Sequence, residues 1–122
     1  MKKVLVTGAT GHVGNVLVKE LYEQGYEVYS LVLPHDQIDY LTPYSRIVYG
    51  DILDSRCLEY LFEGIDYIFH CAGVIEISSG NKKLVYKVNV EGTKNVLEAA
   101  FRSKVKRVIY TSSVHALPTI TI

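Results

Sequence analysis

The sequence predicts an α/β protein built on a parallel β-sheet, and two observations carry that prediction. Short apolar runs bounded by turn residues alternate along the chain with segments in which apolar side chains recur at helical spacing. The first apolar run, residues 4–6, leads through three glycines spaced three apart into a helical pattern. Strands that alternate with helices imply right-handed crossovers, and we expect five parallel strands in the order 3-2-1-4-5.

Each element follows from a local pattern. In the first helix, Val13, Leu17 and Leu21 are expected to form the buried stripe, and Gly25 to end the helix. Asp54 is a plausible N-cap for the second helix. The predicted strands cover residues 3–7, 27–33, 46–49, 66–71 and 106–111, and the predicted helices cover about 12–24, 54–63 and 82–103.

The crossover between the second and third strands is the exception. Only a dozen residues are available between Pro34 and Ser45, and Pro34 and Pro43 interrupt them. We therefore expect a loop or a single helical turn there, and no full helix.

Composition favours a small-molecule ligand. The 122 residues carry 13 basic and 13 acidic side chains, so no net charge attracts nucleic acid or an anionic membrane. The N-terminal apolar run is too short for an export signal, and no segment reads as a membrane span. Cys57 and Cys71 lack paired spacing, and neither they nor the four histidines show metal-ligand spacing. We expect one cytoplasmic domain, residues 1–122, with reduced thiols and no metal.

The three glycines have separate physical tasks. Gly8 permits a tight turn, Gly11 lets the backbone approach a pyrophosphate, and Gly14 lets the helix lie close to the strand. The first amides of the helix then face the anion and carry the positive end of the helix dipole. Val13 stands where an ATP-type phosphate loop needs glycine, which excludes that motif. A glycine-rich turn that binds nothing is the alternative.

This spacing, with threonine before the first glycine, resembles the Thr-Gly-x-x-Gly-x-x-Gly motif of the extended short-chain dehydrogenase/reductase family, of the epimerase/dehydratase or dihydroflavonol-reductase-like kind. Residues 70–73 (His-Cys-Ala-Gly), 89–93 (Asn-Val-Glu-Gly-Thr) and 110–113 (Tyr-Thr-Ser-Ser) are similar to later motifs of that family, in the same order. The resemblance covers nearly the whole chain and implies a Rossmann-type NAD(P)-binding domain. The positions it implies for cofactor binding are Gly8, Thr10, Gly11, His12, Val13, Gly14, Asp51, Ile52, Cys71, Ala72, Gly73, Thr111 and Ser112.

The resemblance also implies individual roles. The Asp51 carboxylate would accept from the adenine amino group while Ile52 packs on the ring; the alternative is that Gly50-Asp51 only makes a turn. Asn89 would hold the ends of strands four and five by hydrogen bonds. Ser113 would orient the substrate oxygen, unless the serines merely cap a strand. For His70, a packed structural role is favoured over a catalytic one.

The family's catalytic Tyr-x-x-x-Lys pair is missing, since none of the ten tyrosines has lysine four residues later. The resemblance places that pair beyond Ile122, so we expect an incomplete, C-terminally truncated domain that is inactive alone and whose substrate cannot be read. Uncovered apolar residues, Val108, Ile109 and Ile120 among them, would favour self-association. The alternative function is a non-catalytic dinucleotide-binding sensor or regulatory module.

Cofactor choice depends on the end of the second strand. An NAD enzyme usually has an acid there and an NADP enzyme an arginine, but this chain has Val32 and Leu33. His35 or Asp36 reaches the ribose only if the loop folds back. Either NAD or NADP is expected, with NAD favoured because no cation stands near.

Overall fold

The computed structural model describes residues 1–71, 83 and 86–110, together with the backbone of residues 119–121. One six-stranded sheet organises these residues. The strands are β1 (Lys3–Thr7), β2 (Glu27–Val32), β3 (Arg46–Tyr49), β4 (Tyr67–His70), β5 (Arg107–Tyr110) and β6 (Thr119–Thr121). The helices are α1 (His12–Glu23), α2 (Ser55–Leu61) and α3 (Thr93–Arg102), the last preceded by a π-helical segment, Lys87–Gly92.

The strand order is β3-β2-β1-β4-β5-β6, and the first five strands run parallel. The predicted order 3-2-1-4-5 is therefore confirmed. The short strand β6 pairs antiparallel with β5, with Val108 opposite Ile120, and the sequence did not predict it. Because the five parallel strands share one direction, their carboxyl ends meet at one edge of the sheet.

Two predicted helix boundaries are confirmed, the start of α2 and the end of α1. The Asp54 side chain accepts a hydrogen bond from the amide of Cys57 at 3.2 Å, which caps α2. Gly25, with a φ of +94°, follows α1 and lets the chain reverse into β2.

The face of the sheet that packs against α1 shows where the predicted stripe was wrong. Gly14, Val18 and Leu21 are the buried residues of α1, whereas Val13 is 41% exposed and Leu17 is partly buried. The helix turns its glycine toward the strand, because only a residue without a side chain fits there, and this rotation carries Val13 out to solvent.

The other face packs against α2 and α3. Its buried cluster includes Leu5, Leu58, Phe62, Ile68 and Val96, all at most 1% exposed. Val108 belongs to the same cluster at 1% exposure, so the prediction that it forms exposed apolar surface is wrong. Ile109 is partly exposed, and the side chain of Ile120 lies outside the described residues.

The crossover between β2 and β3 is an ordered loop with one helical turn, as predicted. The amide of Thr42 donates to the carbonyl of Ile38 at 3.1 Å, and Leu41 is completely buried beneath α1. The Ser45 hydroxyl contacts the Leu41 carbonyl at 2.9 Å and the Ser30 hydroxyl at 2.7 Å. These bonds fix the loop where a helix would otherwise cross.

Within the long predicted helix, Thr93–Arg102 is α-helical, whereas Lys87–Gly92 forms a π-helical segment. A Cβ at Gly92 would overlap the end of the Ile52 side chain, so the close approach of this loop residue explains the glycine. Among the described helices, none is both long and apolar enough to span a membrane.

Candidate functional site

The carboxyl edge of the sheet brings the predicted segments together. By register, Thr7 at the end of β1 lies beside Leu31 on one side and His70 on the other, and His70 lies beside Tyr110. Adjacent strands are about 4.8 Å apart. The glycine loop after β1, the loop after β2 and Cys71 after β4 therefore border one crevice.

The glycine loop is a tight turn that leads into α1. Gly8 has a φ of +64°, a left-handed conformation that favours glycine, and its carbonyl accepts from the amide of Gly11 at 3.0 Å. A Cβ at Gly14 would overlap the Gly8 carbonyl and lie 2.8 Å from the Cα of Ala9. Gly8 and Gly14 are thus required by the fold itself.

Gly11 differs from the other two glycines. Its φ of −78° suits any residue, and a Cβ there would lie 3.4 Å from the Gly8 carbonyl oxygen, near ordinary contact. It is also exposed. The described protein around Gly11 therefore gives little reason for glycine at this position.

The start of α1 offers unused donors beside Gly11. No side chain caps this helix, and its first turn holds no acidic residue. The amides of His12, Val13 and Gly14 have no hydrogen-bond acceptor among the described residues, while the amide of Asn15 bonds to the Gly11 carbonyl. Such amides, with the positive end of the helix dipole, form a binding site suited to an anion.

Asp51 lies at the predicted place after β3, and its local geometry is a turn. One carboxylate oxygen accepts from the amide of Leu53 at 2.9 Å, and the Asp51 carbonyl accepts from the amide of Asp54 at 2.9 Å. The residue is exposed, so its carboxylate remains accessible to a ligand. Ile52, by contrast, is 7% exposed and packs in the core against Gly92, which leaves little of its side chain for a ring.

His70 occupies a buried polar network beneath the crevice. Its Nδ1 lies 2.7 Å from the Thr7 hydroxyl and its Nε2 lies 2.9 Å from the Thr93 hydroxyl, so the ring joins β1, β4 and α3. The same Thr7 hydroxyl accepts from the amide of Cys71 at 3.0 Å. Burial lowers the pKa of His70 to about 4, which keeps the ring neutral at neutral pH. The packed structural role predicted for His70 matches this environment.

The Asn89 side chain makes no hydrogen bond among the described residues, and the chain that follows β4 and β5, where its expected partners lie, is outside them. Asn95, one turn beyond Glu91, instead donates from Nδ2 to the carbonyl of Ile52 at 3.0 Å. The helix is thus tied to the loop after β3 through Asn95 and to β4 through Thr93, and the sequence pattern singled out neither side chain for these contacts.

The loop after β2 does fold back. The amide of Asp36 donates to the carbonyl of Leu33 at 3.0 Å, and the Asp36 carboxylate accepts from the amide of Leu33 at 2.9 Å. Farther along the loop, the hydroxyl of Tyr40 donates to the carbonyl of Thr10 at 3.0 Å. The loop therefore lies against the glycine loop, a contact for which the sequence carried no signal.

Five predicted site residues lie outside the described residues: Ala72, Gly73, Thr111, Ser112 and Ser113.

Residues 4–121 match the model of the "NAD dependent epimerase/dehydratase family". The chain belongs to this family. The match covers nearly the whole chain, so the resemblance drawn from the four motifs is confirmed.

The relatives of this epimerase/dehydratase chain have names that describe different activities. It is 35% identical to sterol demethylase protein B of Methylococcus capsulatus over 93% of this chain and 35% of that protein. It is 39% identical to a putative dihydroflavonol 4-reductase of Synechocystis over 92% of this chain and 33% of that protein. The chain thus spans about a third of the length of these relatives.

Among solved structures, UDP-glucose 4-epimerase from Brucella ovis in complex with NAD superposes with a TM-score of 0.81 and 26% identity, covering 92% of this chain and 36% of that one. The family and this NAD-bound neighbour support binding of an NAD(P) dinucleotide by the present chain.

Proposed function

We propose that residues 1–122 form the NAD(P)-binding part of an extended short-chain oxidoreductase or epimerase. The whole protein would transfer hydride between the nicotinamide and a carbonyl or alcohol substrate. Family membership supports the reaction class, and the glycine loop supports the binding site.

Gly11 is the observation that carries this proposal. Its neighbours leave room for a side chain, yet the position holds glycine beside three amides that lack acceptors among the described residues. A diphosphate lying over Gly11 would accept from these amides and would explain the glycine, since a Cβ would stand where the ligand must approach. The cofactor-binding roles of Thr10, His12, Val13 and Cys71 are part of the same proposal.

NAD is the proposed cofactor in preference to NADP. The end of β2 carries Val32 and Leu33, so the basic residue that usually meets a 2′-phosphate is absent from those positions.

For the substrate, we propose a sugar nucleotide or another molecule with a ring carbonyl or alcohol. Relatives and neighbours are named for sterols, dihydroflavonols and UDP-glucose. When bound, the nicotinamide would supply or accept the hydride, and Ser113 would orient the substrate oxygen. Proton transfer needs a further group, because these 122 residues hold no Tyr-x-x-x-Lys pair.

A second candidate is a dinucleotide-binding module without catalysis that acts through a partner. In-frame coding sequence for Tyr-x-x-x-Lys after Ile122 would support the enzyme, and a stop codon would support the module.

We further propose a cytoplasmic location, because no disulfide joins Cys57 and Cys71, both of which the structure describes. We also propose that the chain self-associates through exposed apolar residues other than Val108, which is buried.

Isothermal titration calorimetry with NAD⁺ tests the binding site. Gly11→Ala should bind at least about tenfold more weakly than wild type, the effect of losing one or two charge-assisted hydrogen bonds, with an unchanged melting temperature. Gly64→Ala is the matched control. Gly64 has a φ of +80° far from the crevice, so this variant should lose stability but keep affinity. Equal NAD⁺ affinity in Gly11→Ala and wild type would remove the phosphate-loop assignment.

A further inference from the structure

We propose that Tyr40 is a positioning residue for the dinucleotide site, because it holds the backbone of the glycine loop in the conformation that presents the free amides of α1. The inference rests on the proposed function and adds to it a side chain from the loop between β2 and β3. It is carried by the hydrogen bond from the Tyr40 hydroxyl to the Thr10 carbonyl at 3.0 Å, which joins residues 30 positions apart.

The peptide group between Thr10 and Gly11 is held at both of its polar atoms. Its N–H, which belongs to Gly11, donates to the Gly8 carbonyl at 3.0 Å, and its carbonyl, which belongs to Thr10, accepts from Tyr40. Because a peptide group is planar, bonds on its two opposite sides fix its orientation. Tyr40 supplies the only hydrogen bond to the Thr10 carbonyl among the described residues, so without the hydroxyl a single bond would hold this group.

The next peptide group along the chain has a support of its own. The Gly11 carbonyl accepts from the Asn15 amide at 3.0 Å and from the Asn15 side chain at 2.9 Å. The opposite side of this group carries the N–H of His12, one of the amides that lack acceptors among the described residues. The direction of that N–H therefore depends on Asn15 and, through the preceding peptide group, on Tyr40.

A glycine loop needs such support because glycine restricts its own backbone least. Gly11 is exposed, and its neighbours leave room for a side chain, so packing does little to fix its torsion angles. Ordering a glycine costs more conformational entropy than ordering another residue. A hydrogen bond that already orders the loop in the free chain removes part of this cost from ligand binding, so the affinity rises.

Tyr40 is itself placed by the core. Leu41, the next residue, is completely buried in the cluster beneath α1, and its amide donates to the Ile38 carbonyl at 2.8 Å. Tyr40 is 43% exposed, and an exposed hydrogen bond adds little net free energy to folding, because water can replace the donor. Water does not hold the carbonyl in one direction, however. Loss of the hydroxyl should therefore affect binding more than stability.

Tyr40→Phe removes the hydroxyl and keeps the ring, and Tyr44→Phe is the matched control. Tyr44 belongs to the same loop, its ring packs edge-on against Tyr22, and its hydroxyl makes no hydrogen bond among the described residues. In calorimetric titration, Tyr40→Phe should bind NAD⁺ about two- to tenfold more weakly than wild type, the scale of one hydrogen bond. Tyr44→Phe should bind like wild type, and both variants should keep the wild-type urea midpoint.

A second readout, without ligand, separates positioning of the loop from contact with the cofactor. In the free ¹⁵N-labelled chain, the NMR signals of the Gly11 and His12 amides should move in Tyr40→Phe, because the Gly11 amide shares a peptide group with the Thr10 carbonyl. The same signals should keep their wild-type positions in Tyr44→Phe.

Unchanged NAD⁺ affinity in Tyr40→Phe, or an equal loss in Tyr44→Phe, would overturn the assignment of Tyr40 and leave the binding site intact. Weaker binding with the Gly11 and His12 signals of the free chain unmoved would also overturn it, because the hydroxyl would then contact the cofactor itself. If wild type does not bind NAD⁺, the proposed function fails, and the role of Tyr40 with it.

Discussion

Protonation of His70 should destabilise the fold as the pH falls from 6.5 toward 4. Burial lowers the pKa of the folded-state ring to about 4, whereas an unfolded histidine titrates near 6.5. Between these values the unfolded chain binds a proton that the folded chain rejects, so stability rises with pH across this window. The contribution is fully present above about pH 6.5 and is lost as the pH falls to about 4.

The magnitude follows from the two pKa values. At pH 5 the unfolded state gains about 2 kcal/mol relative to the folded state, and at pH 7 it gains only about 0.2 kcal/mol. The ring is 1% exposed and bonded to two threonine hydroxyls, so solvent screening does not reduce this figure much.

Urea unfolding of wild type and His70→Asn at pH 7 and pH 5 measures the effect. Asparagine does not titrate and still offers a donor and an acceptor toward Thr7, so the variant should be less stable at pH 7 by roughly 2 to 4 kcal/mol for the lost ring and hydrogen bond. That difference should shrink by about 2 kcal/mol at pH 5. His35→Asn, whose ring is 79% exposed, should keep the wild-type pH dependence.

A stability difference between wild type and His70→Asn that stays constant from pH 7 to pH 5 would show that burial does not keep His70 neutral at pH 5. It would mean that the folded chain accommodates a charged ring in this position, through contacts that stabilise the imidazolium.

Three further predictions concern the crevice. Gly14→Ala should destabilise the chain by more than about 2 kcal/mol in the same urea assay, because its Cβ would overlap the Gly8 carbonyl and backbone must move; an unchanged midpoint would contradict the close packing of α1. Asp51→Ala should weaken NAD⁺ by roughly 1 to 3 kcal/mol and leave nicotinamide mononucleotide unaffected, and equal losses for both ligands would assign Asp51 to the fold alone. The 122-residue chain should bind cofactor without detectable hydride transfer, and turnover that is lost in Ser113→Ala would show that a proton donor lies within it.

Most of the fold could be predicted because each strand is bounded by local turn chemistry. The limits of β1 and β3 follow the prediction to the residue, and Asp54 caps α2 as its sequence position indicates. The buried stripe of α1 was misassigned because an apolar pattern counts Val13 as core and treats Gly14 as neutral. Only the packing of the helix against the Gly8 carbonyl reveals that the glycine is the buried residue.

The parts of the site in which a local motif determines the backbone could be predicted from the sequence. Contacts between two different loops could not. Gly8 and Gly14 have the tasks that their spacing indicates. The hydrogen bond between Tyr40 and Thr10 joins residues 30 positions apart, and no local pattern encodes it. The hydrogen bonds between Asp36 and Leu33 depend on the turn that the loop adopts. The sequence therefore indicated only that Asp36 would approach the strand end if the loop folded back.

Titration of ¹⁵N-labelled chain with NAD⁺, followed at the backbone amides by NMR, shows directly whether the dinucleotide binds with its diphosphate at the start of α1. The largest shifts should occur at Gly11 to Gly14, whose amides would donate to the diphosphate, and in Gly11→Ala the same shifts should need at least about tenfold more NAD⁺. Saturable NAD⁺ binding with those four amides unmoved, or with the largest shifts on the opposite edge of the sheet, would contradict this binding mode.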